Sequence, residues 1–192
     1  MEIEYEATFE NINKDEIRDK LKVIGAVLVK PECLHKRVTF NLPLSVRVPN
    51  SFVRVRDEGD KITVTLKVVE GHGIEKMKEI NLDVDSIEKA QELLLFLGCV
   101  KKAYQENKRE LWKLNDTEIT IDEWPFLAPI VEIEGSSENR VKEVAEKLDF
   151  DYKDAIFGPI TVVYAKKYGI SEDVINNKTP KIVFDMDNPF LK

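Results

Sequence analysis

Cysteine is nearly absent from this chain. Its two cysteines, Cys33 and Cys99, lie far apart and outside any C-x-x-C or His cluster, which excludes a disulfide framework and a zinc site of the usual spacing. Histidine is equally scarce, and His35, in Leu34-His35-Lys36-Arg37, has no second ligand at metal spacing, so it is expected at a surface or turn. No apolar run approaches the ~18 residues of a membrane span. The longest apolar cluster, Leu93 to Leu97, sits inside a helical pattern, and the opening MEIEYEATF is too acidic for a secretory or transit leader, so a cytoplasmic location is expected. A positive excess is missing too. The 29 basic and 36 acidic residues give −7 at pH 7, which argues against gripping a nucleic-acid polymer or an anionic membrane.

What remains is an ordinary apolar fraction of 43% beside an unusually high 34% of charged residues, in 192 residues without repeats, low-complexity tracts or linkers. Residues 1–192 therefore read as a single domain, the tail beyond about residue 169 having no assigned role. Helical periodicity appears over Lys14 to Ile24 behind Asn13, over Ile87 to Leu97 between Ser86 and Gly98, and over Glu138 to Leu148 behind Ser136 and Ser137. Strands are expected over Glu2 to Phe9, His35 to Asn41, Phe52 to Arg56, Lys61 to Val68, Lys76 to Val84, Tyr104 to Leu114, Glu118 to Asp122 and Ile130 to Glu134. Asp57-Glu58-Gly59-Asp60 and Asn115-Asp116 supply hairpin turns, so the class is α+β on antiparallel pairs.

Successive strand side chains point to opposite faces, so Glu2, Glu4 and Glu6 share one face while Ile3, Tyr5, Ala7 and Phe9 share the other. Arg54 and Arg56 oppose Val53 and Val55; Thr63, Thr65 and Lys67 oppose Ile62, Val64 and Leu66; Glu118, Thr120 and Asp122 oppose Ile119 and Ile121; Glu132 and Glu134 oppose Val131 and Ile133. A solvated face over a core accounts for any one strand. Whole strands of one sign are harder to place that way, because like charges held about 6.6 Å apart repel unless something of opposite sign faces them. If the sheet closes with its charged rows inward and helices over its apolar rows, the bore can hold a hard divalent cation on carboxylates and a polyanion on Arg and Lys.

Glu2-x-Glu4-x-Glu6, Arg54-x-Arg56 followed by Asp57-Glu58-Gly59-Asp60, Thr65-Leu66-Lys67, and Ile121-Asp122-Glu123-Trp124-Pro125-Phe126-Leu127 followed by Val131-Glu132-Ile133-Glu134-Gly135 resemble, in order over roughly residues 1–165, the CYTH superfamily of triphosphate tunnel metalloenzymes. That family includes class IV adenylate cyclases, thiamine triphosphatases and inorganic triphosphatases. The resemblance implies a closed antiparallel tunnel of roughly eight strands, with a charged lumen and amphipathic helices packed outside. It implies Mg²⁺ or Mn²⁺ at Glu2, Glu4, Asp122, Glu132 and Glu134, and phosphate-holding, catalytic roles for Arg54, Arg56, Lys67 and Arg109, with Glu2 and Glu4 also counted as catalytic. Two positions depart from the family pattern: Glu6 and Asn107 stand where lysines are expected, and both remove positive charge from the phosphate wall.

The implied activity is metal-dependent hydrolysis of an inorganic or organic triphosphate. A class IV adenylate cyclase making cyclic AMP and pyrophosphate from ATP, and an inactive nucleotide- or polyphosphate-binding module, are the alternatives. The implied partner is a small-molecule triphosphate or nucleotide, and the chain a monomer or homodimer. Glu79 is a lesser candidate with an equally good structural reading, Lys76 and Lys78 are expected on the face opposite to it, and Arg37, Thr39, Phe40, Asn41 and Pro43 match an aromatic, Asp-x-Pro segment of the family only weakly. Trp112 and Trp124, each beside an apolar row, are expected to pack rather than to stack on a base.

Overall fold

The computed structural model describes residues 1–48, 51–69, 74 and 77–191, with backbone but not side chain described at Glu2 and Val69. Lys76 lies outside the described residues. Eight strands form one antiparallel ring: β1 (Glu2–Phe9), β2 (Val27–Asn41), β3 (Phe52–Asp57), β4 (Ile62–Val69), β5 (Met77–Val84), β6 (Val100–Leu114), β7 (Thr117–Glu123) and β8 (Ile130–Gly135). Their spatial order is β2-β3-β4-β5-β1-β8-β7-β6, and pairing of β6 back onto β2 closes the barrel. A short ninth strand, β9 (Lys181–Ile182), runs parallel to β6 beside Tyr104 and Gln105.

Turn chemistry sets the registers. Gly59, with φ +88°, turns β3 into β4 so that Arg54 faces Thr65, and Asn115, with φ 54°, turns β6 into β7 so that Arg109 faces Asp122. β2 starts earlier than its alternation suggested. Register shifts between Leu28 and Lys30 and between Lys30 and Cys33, around Pro31, break the period-two pattern there, as bulges do.

The helices are α1 (Lys14–Val23), α2 (Ile87–Phe96), α3 (Glu138–Lys147), α4 (Thr161–Tyr168) and α5 (Glu172–Asn177). The first three are capped as expected: the side chains of Asn13, Ser86 and Ser137 accept hydrogen bonds from backbone N–H groups of the first turn. The hydrophobic core lies outside the ring. Ile17 and Leu21 of α1 and Val141, Val144 and Ala145 of α3 pack on Ala7, Phe9, Ile119, Ile121, Val131 and Ile133. Ala90 and Leu94 of α2 cover Val38, Phe40, Val53 and Val55. Each fully buried Ile or Val here contributes about 2 kcal/mol.

Coverage is incomplete, contrary to the expectation that every apolar row is buried. Ile3, Ile80 and Leu82 remain 43–59% exposed. Three helices of 10 residues are each about 15 Å long, too short to clothe the whole ring. The tail, without a sequence reading, is ordered: Tyr164, Ile175, Ile182 and Phe190 gather around Trp124 and Ile130 in a third cluster.

Candidate active site

Because the apolar rows face the helices, the alternate rows face inward and line a cavity of about 680 Å³. Glu4, Glu6, Arg54, Arg56, Lys67, Glu118, Thr120, Glu132 and Glu134 all border it, on the faces their alternation assigned, and Arg109 joins them. Around the ring, β1 and β8 lie four strands away from β2 and β3, so the acidic rows of the first pair look across the bore at the basic rows of the second. Nothing is described of the Glu2 side chain; its backbone pairs with Glu79.

The acidic wall has one tight cluster. Glu4, Glu6 and Glu134 each place a carboxylate oxygen within 4.8 Å of the others. Burial, reinforced by Glu132, Glu4 and Glu134, pushes the Glu6 carboxyl well above the usual range. Burial and neighbouring Glu4 push Glu134 up to about 7. Glu4 differs: burial opposes its charge, but Lys67, whose Nζ donates to both of its oxygens at 2.9 and 2.8 Å, holds it below the usual range. Lys67 also lies 3.6 Å from Glu79, which gives that residue its paired role. Oxygen ligands of one charge, crowded together with Lys67 paired to Glu4 alone of the three, suit a hard divalent ion, and magnesium in particular takes few protein carboxylates beside water and phosphate oxygens. The cluster thus fits the implied metal.

Asp122 and Glu132 sit elsewhere, with Arg109. The guanidinium donates through Nε to Asp122 Oδ1 and lies 2.8 Å from Oδ2 through Nη2, and it also pairs with Glu132. Asn107 Nδ2 and Thr120 Oγ1 donate to the same carboxylate at 2.7 Å each, so Asp122, fully buried, has its acceptor sites filled by protein. Burial works against both charges. The pairing outweighs it, holding Asp122 below the usual carboxylate range and Arg109 well above the usual guanidinium value.

On the basic wall Arg56 pairs with Glu58 at 2.6 Å; burial would lift that carboxyl, but Arg56 brings it to about 2. Among the described residues Arg54 hydrogen-bonds only to Thr65 Oγ1, at 3.4 Å, and its Nε has no partner. Burial, with Arg56 and Arg109 nearby, lowers it to about 9.

The structure corrects the placement of His35 and adds residues the alternation did not single out. His35 is no turn residue: it is 3% exposed, lines the cavity, and burial with Arg56 and Arg109 lowers it to about 3. Arg37, Thr39 and Asn41 follow it on the same face, and the sequence signal was there in His35-x-Arg37-x-Thr39-x-Asn41, interleaved with Val38 and Phe40. Trp112 and Trp124 are buried packing residues as expected, and Trp124 in addition carries the Arg37 guanidinium on its ring, 3.9 Å from the centroid. One mouth is bordered by Thr161, Glu172, Asp173 and Asn176 of the tail, where Lys102 donates to Asn176 Oδ1 at 2.8 Å. Short helices without a strong apolar period gave no sequence signal for that mouth.

Comparison with known proteins agrees with this geometry. The model of the CYTH domain matches residues 44–157. A Methanocaldococcus jannaschii protein named "Putative adenylate cyclase" is 26% identical over 147 residues, 76% of this chain and 81% of that protein. A solved Pyrococcus horikoshii structure superposes with a TM-score of 0.67 at 24% identity, covering 80% of this chain and 94% of its own. A Hippeastrum structure, described as a "putative adenylyl cyclase" with a dominant triphosphatase activity, superposes at 0.55 with 14% identity over 88% of this chain and 97% of its own. The two structural likenesses are likenesses of fold. Among the described residues no helix is long and apolar enough to cross a membrane.

Proposed function

Because the chain belongs to the CYTH domain family, we propose that it is a metal-dependent hydrolase of a triphosphate, inorganic or borne by a small organic group. One observation carries this reading: Glu4, Glu6 and Glu134 crowd on one wall of a closed bore, across from a wall where Arg54 has no carboxylate partner among the described residues. A cavity of about 680 Å³ suits a small molecule.

Glu4, Glu6 and Glu134 would hold Mg²⁺ or Mn²⁺. When bound, the ion supplies polarisation of a phosphoryl oxygen and neutralises charge as the bridging bond breaks. Arg54 and Arg56 bind the phosphate chain, Arg56 loosening from Glu58 as it does so. Arg109, its Nε and Nη2 held by Asp122, adds positive charge on the bore and leaves Nη1 for the same chain. Lys67 pairs with Glu4 on the lining of the bore and couples the two walls, so that losing either set weakens the other. A carboxylate of the acidic wall orients the attacking water, whose oxygen joins the terminal phosphorus while the bridging P–O bond breaks, giving phosphate and the shortened chain.

The name of the M. jannaschii relative supports a second reading, in which the same walls hold ATP and the ribose hydroxyl attacks the α-phosphorus. Incubation with tripolyphosphate and with ATP, each with Mg²⁺ or Mn²⁺, separates the two. Free phosphate is expected. Cyclic AMP with pyrophosphate would put the cyclase first, and no turnover of either would leave a binding module.

A further inference from the structure

Among the described residues, the lumenal cations are neutralised unequally. Arg56 has Glu58, Lys67 has Glu4 and Glu79, and Arg109 has Asp122 and Glu132. Among the described residues the Arg37 side chain has no hydrogen bond and no ion pair. It is 8% exposed, its Nε and Nη2 are buried without a partner, and its cross-strand neighbours are Arg56 on one side and Gln105 on the other. A guanidinium shut away from water beside another cation is strongly unfavourable unless an anion joins it. No carboxylate among the described residues pairs with it.

What holds Arg37 in place is aromatic. Its guanidinium lies 3.9 Å over the Trp124 ring, an arrangement that fixes the plane of the fork without consuming its donors. Trp124 is itself clamped by the tail, through Tyr164, Ile175, Ile182 and Phe190, and the Tyr164 hydroxyl donates to the Pro125 carbonyl at 2.6 Å. A cation kept unpaired, pinned and facing a bore is what a phosphate subsite requires before its ligand arrives.

We propose that Arg37 is a further phosphate-binding residue of the bore, supplying the positive charge that Glu6 and Asn107 do not, with Trp124 as its positioning residue. This rests on the triphosphate reading above and deepens it. The same geometry makes the tail, which lies beyond the residues matched by the family model, part of the site.

The test compares wild type with Arg37→Met, Arg37→Lys and Trp124→Leu, using sodium tripolyphosphate with Mg²⁺ as the probe. Melting without ligand, calorimetric affinity, KM and kcat are measured. Arg37→Met is expected to melt no lower than wild type without ligand, since it removes an uncompensated buried charge, yet to bind tripolyphosphate at least about tenfold more weakly and raise KM accordingly. Arg37→Lys, which keeps charge and loses the fork, is expected in between and carries the test if the Met variant does not fold. Trp124→Leu should raise KM while leaving kcat within about twofold, and should add little when combined with Arg37→Met. A lower melting temperature with unchanged affinity in the Arg37 variants overturns the proposal. Additive effects of the two substitutions overturn the role of Trp124. If wild type itself does not bind tripolyphosphate, the triphosphate reading falls as well, whereas wild-type binding with unchanged variants sinks the Arg37 assignment alone.

Discussion

Glu6 of β1 stands directly across the strand pair from Glu134 of β8, two carboxylates of one sign side by side on the wall of the bore. Like charges so placed destabilise a strand pair. Here Glu4 adds a third oxygen donor within 4.8 Å, and the three together make a place where a divalent ion relieves the repulsion.

Removing one charge from that cluster should therefore have opposite effects on stability and on metal binding. Glu134→Gln is expected to melt higher than wild type in chelator at pH 8, and to bind Mn²⁺ on the order of tenfold or more weakly. Paired thermal melts and Mn²⁺ titrations check this. A variant that melts lower and binds Mn²⁺ unchanged would show the cluster to be an ordinary structural network.

His35 is expected to make the fold less stable as pH falls. Its folded value of about 3 lies below the unfolded value near 6.5, so between those limits the unfolded chain binds the extra proton. Its contribution is intact above about pH 6.5 and declines as pH falls toward 3, with a slope of up to about 1.4 kcal/mol per pH unit. Urea unfolding of wild type and His35→Gln between pH 4 and 8 should show that difference narrowing toward acid. A constant difference would mean that His35 is protonated inside the bore.

Asp122 and Glu134 are separated by their partners. With Arg109, Asn107 and Thr120 filling its oxygens, Asp122 is expected to orient Arg109. Asp122→Asn should cost about 3 kcal/mol, because it leaves a buried guanidinium short of its counter-charge. Denaturant unfolding measures the loss, and Mn²⁺ titration should show a smaller change than Glu134→Gln produces.

Much of this was legible in the sequence. One-sign rows such as Glu4 and Glu6 beside Val53-Arg54-Val55-Arg56 imposed the inward face, and the caps at Asn13, Ser86 and Ser137 placed three helices almost to the residue. The misses have physical causes. His35 and Arg37 sit on a strand whose alternation is broken upstream by Pro31 and register shifts, so their shared face went unread. The tail's contribution is tertiary: α4 and α5 are short, and only folding brings Tyr164 and Ile175 to Trp124. Which acids stay unpaired could not be read either, since Asp122 and Glu134 occupy equivalent inward positions and differ only in what reaches them.

The tail clamp is itself testable. Tyr164→Phe deletes the hydroxyl that donates to the buried Pro125 carbonyl and leaves the ring packing intact. A loss of about 1–1.5 kcal/mol is expected, a fall in Tm of roughly 2–6 °C for a chain of this length. Calorimetry decides, and an unchanged Tm would show that this bond contributes nothing.

The proposed chemistry requires metal and polyphosphate to meet inside one bore. A crystal soaked with Mn²⁺ and a non-hydrolysable triphosphate tests it most directly. Anomalous density is expected among Glu4, Glu6 and Glu134, with phosphate oxygens against Arg37 and Arg54. Manganese bound only outside the barrel, or a triphosphate lying on the exterior with the bore holding water alone, would contradict it.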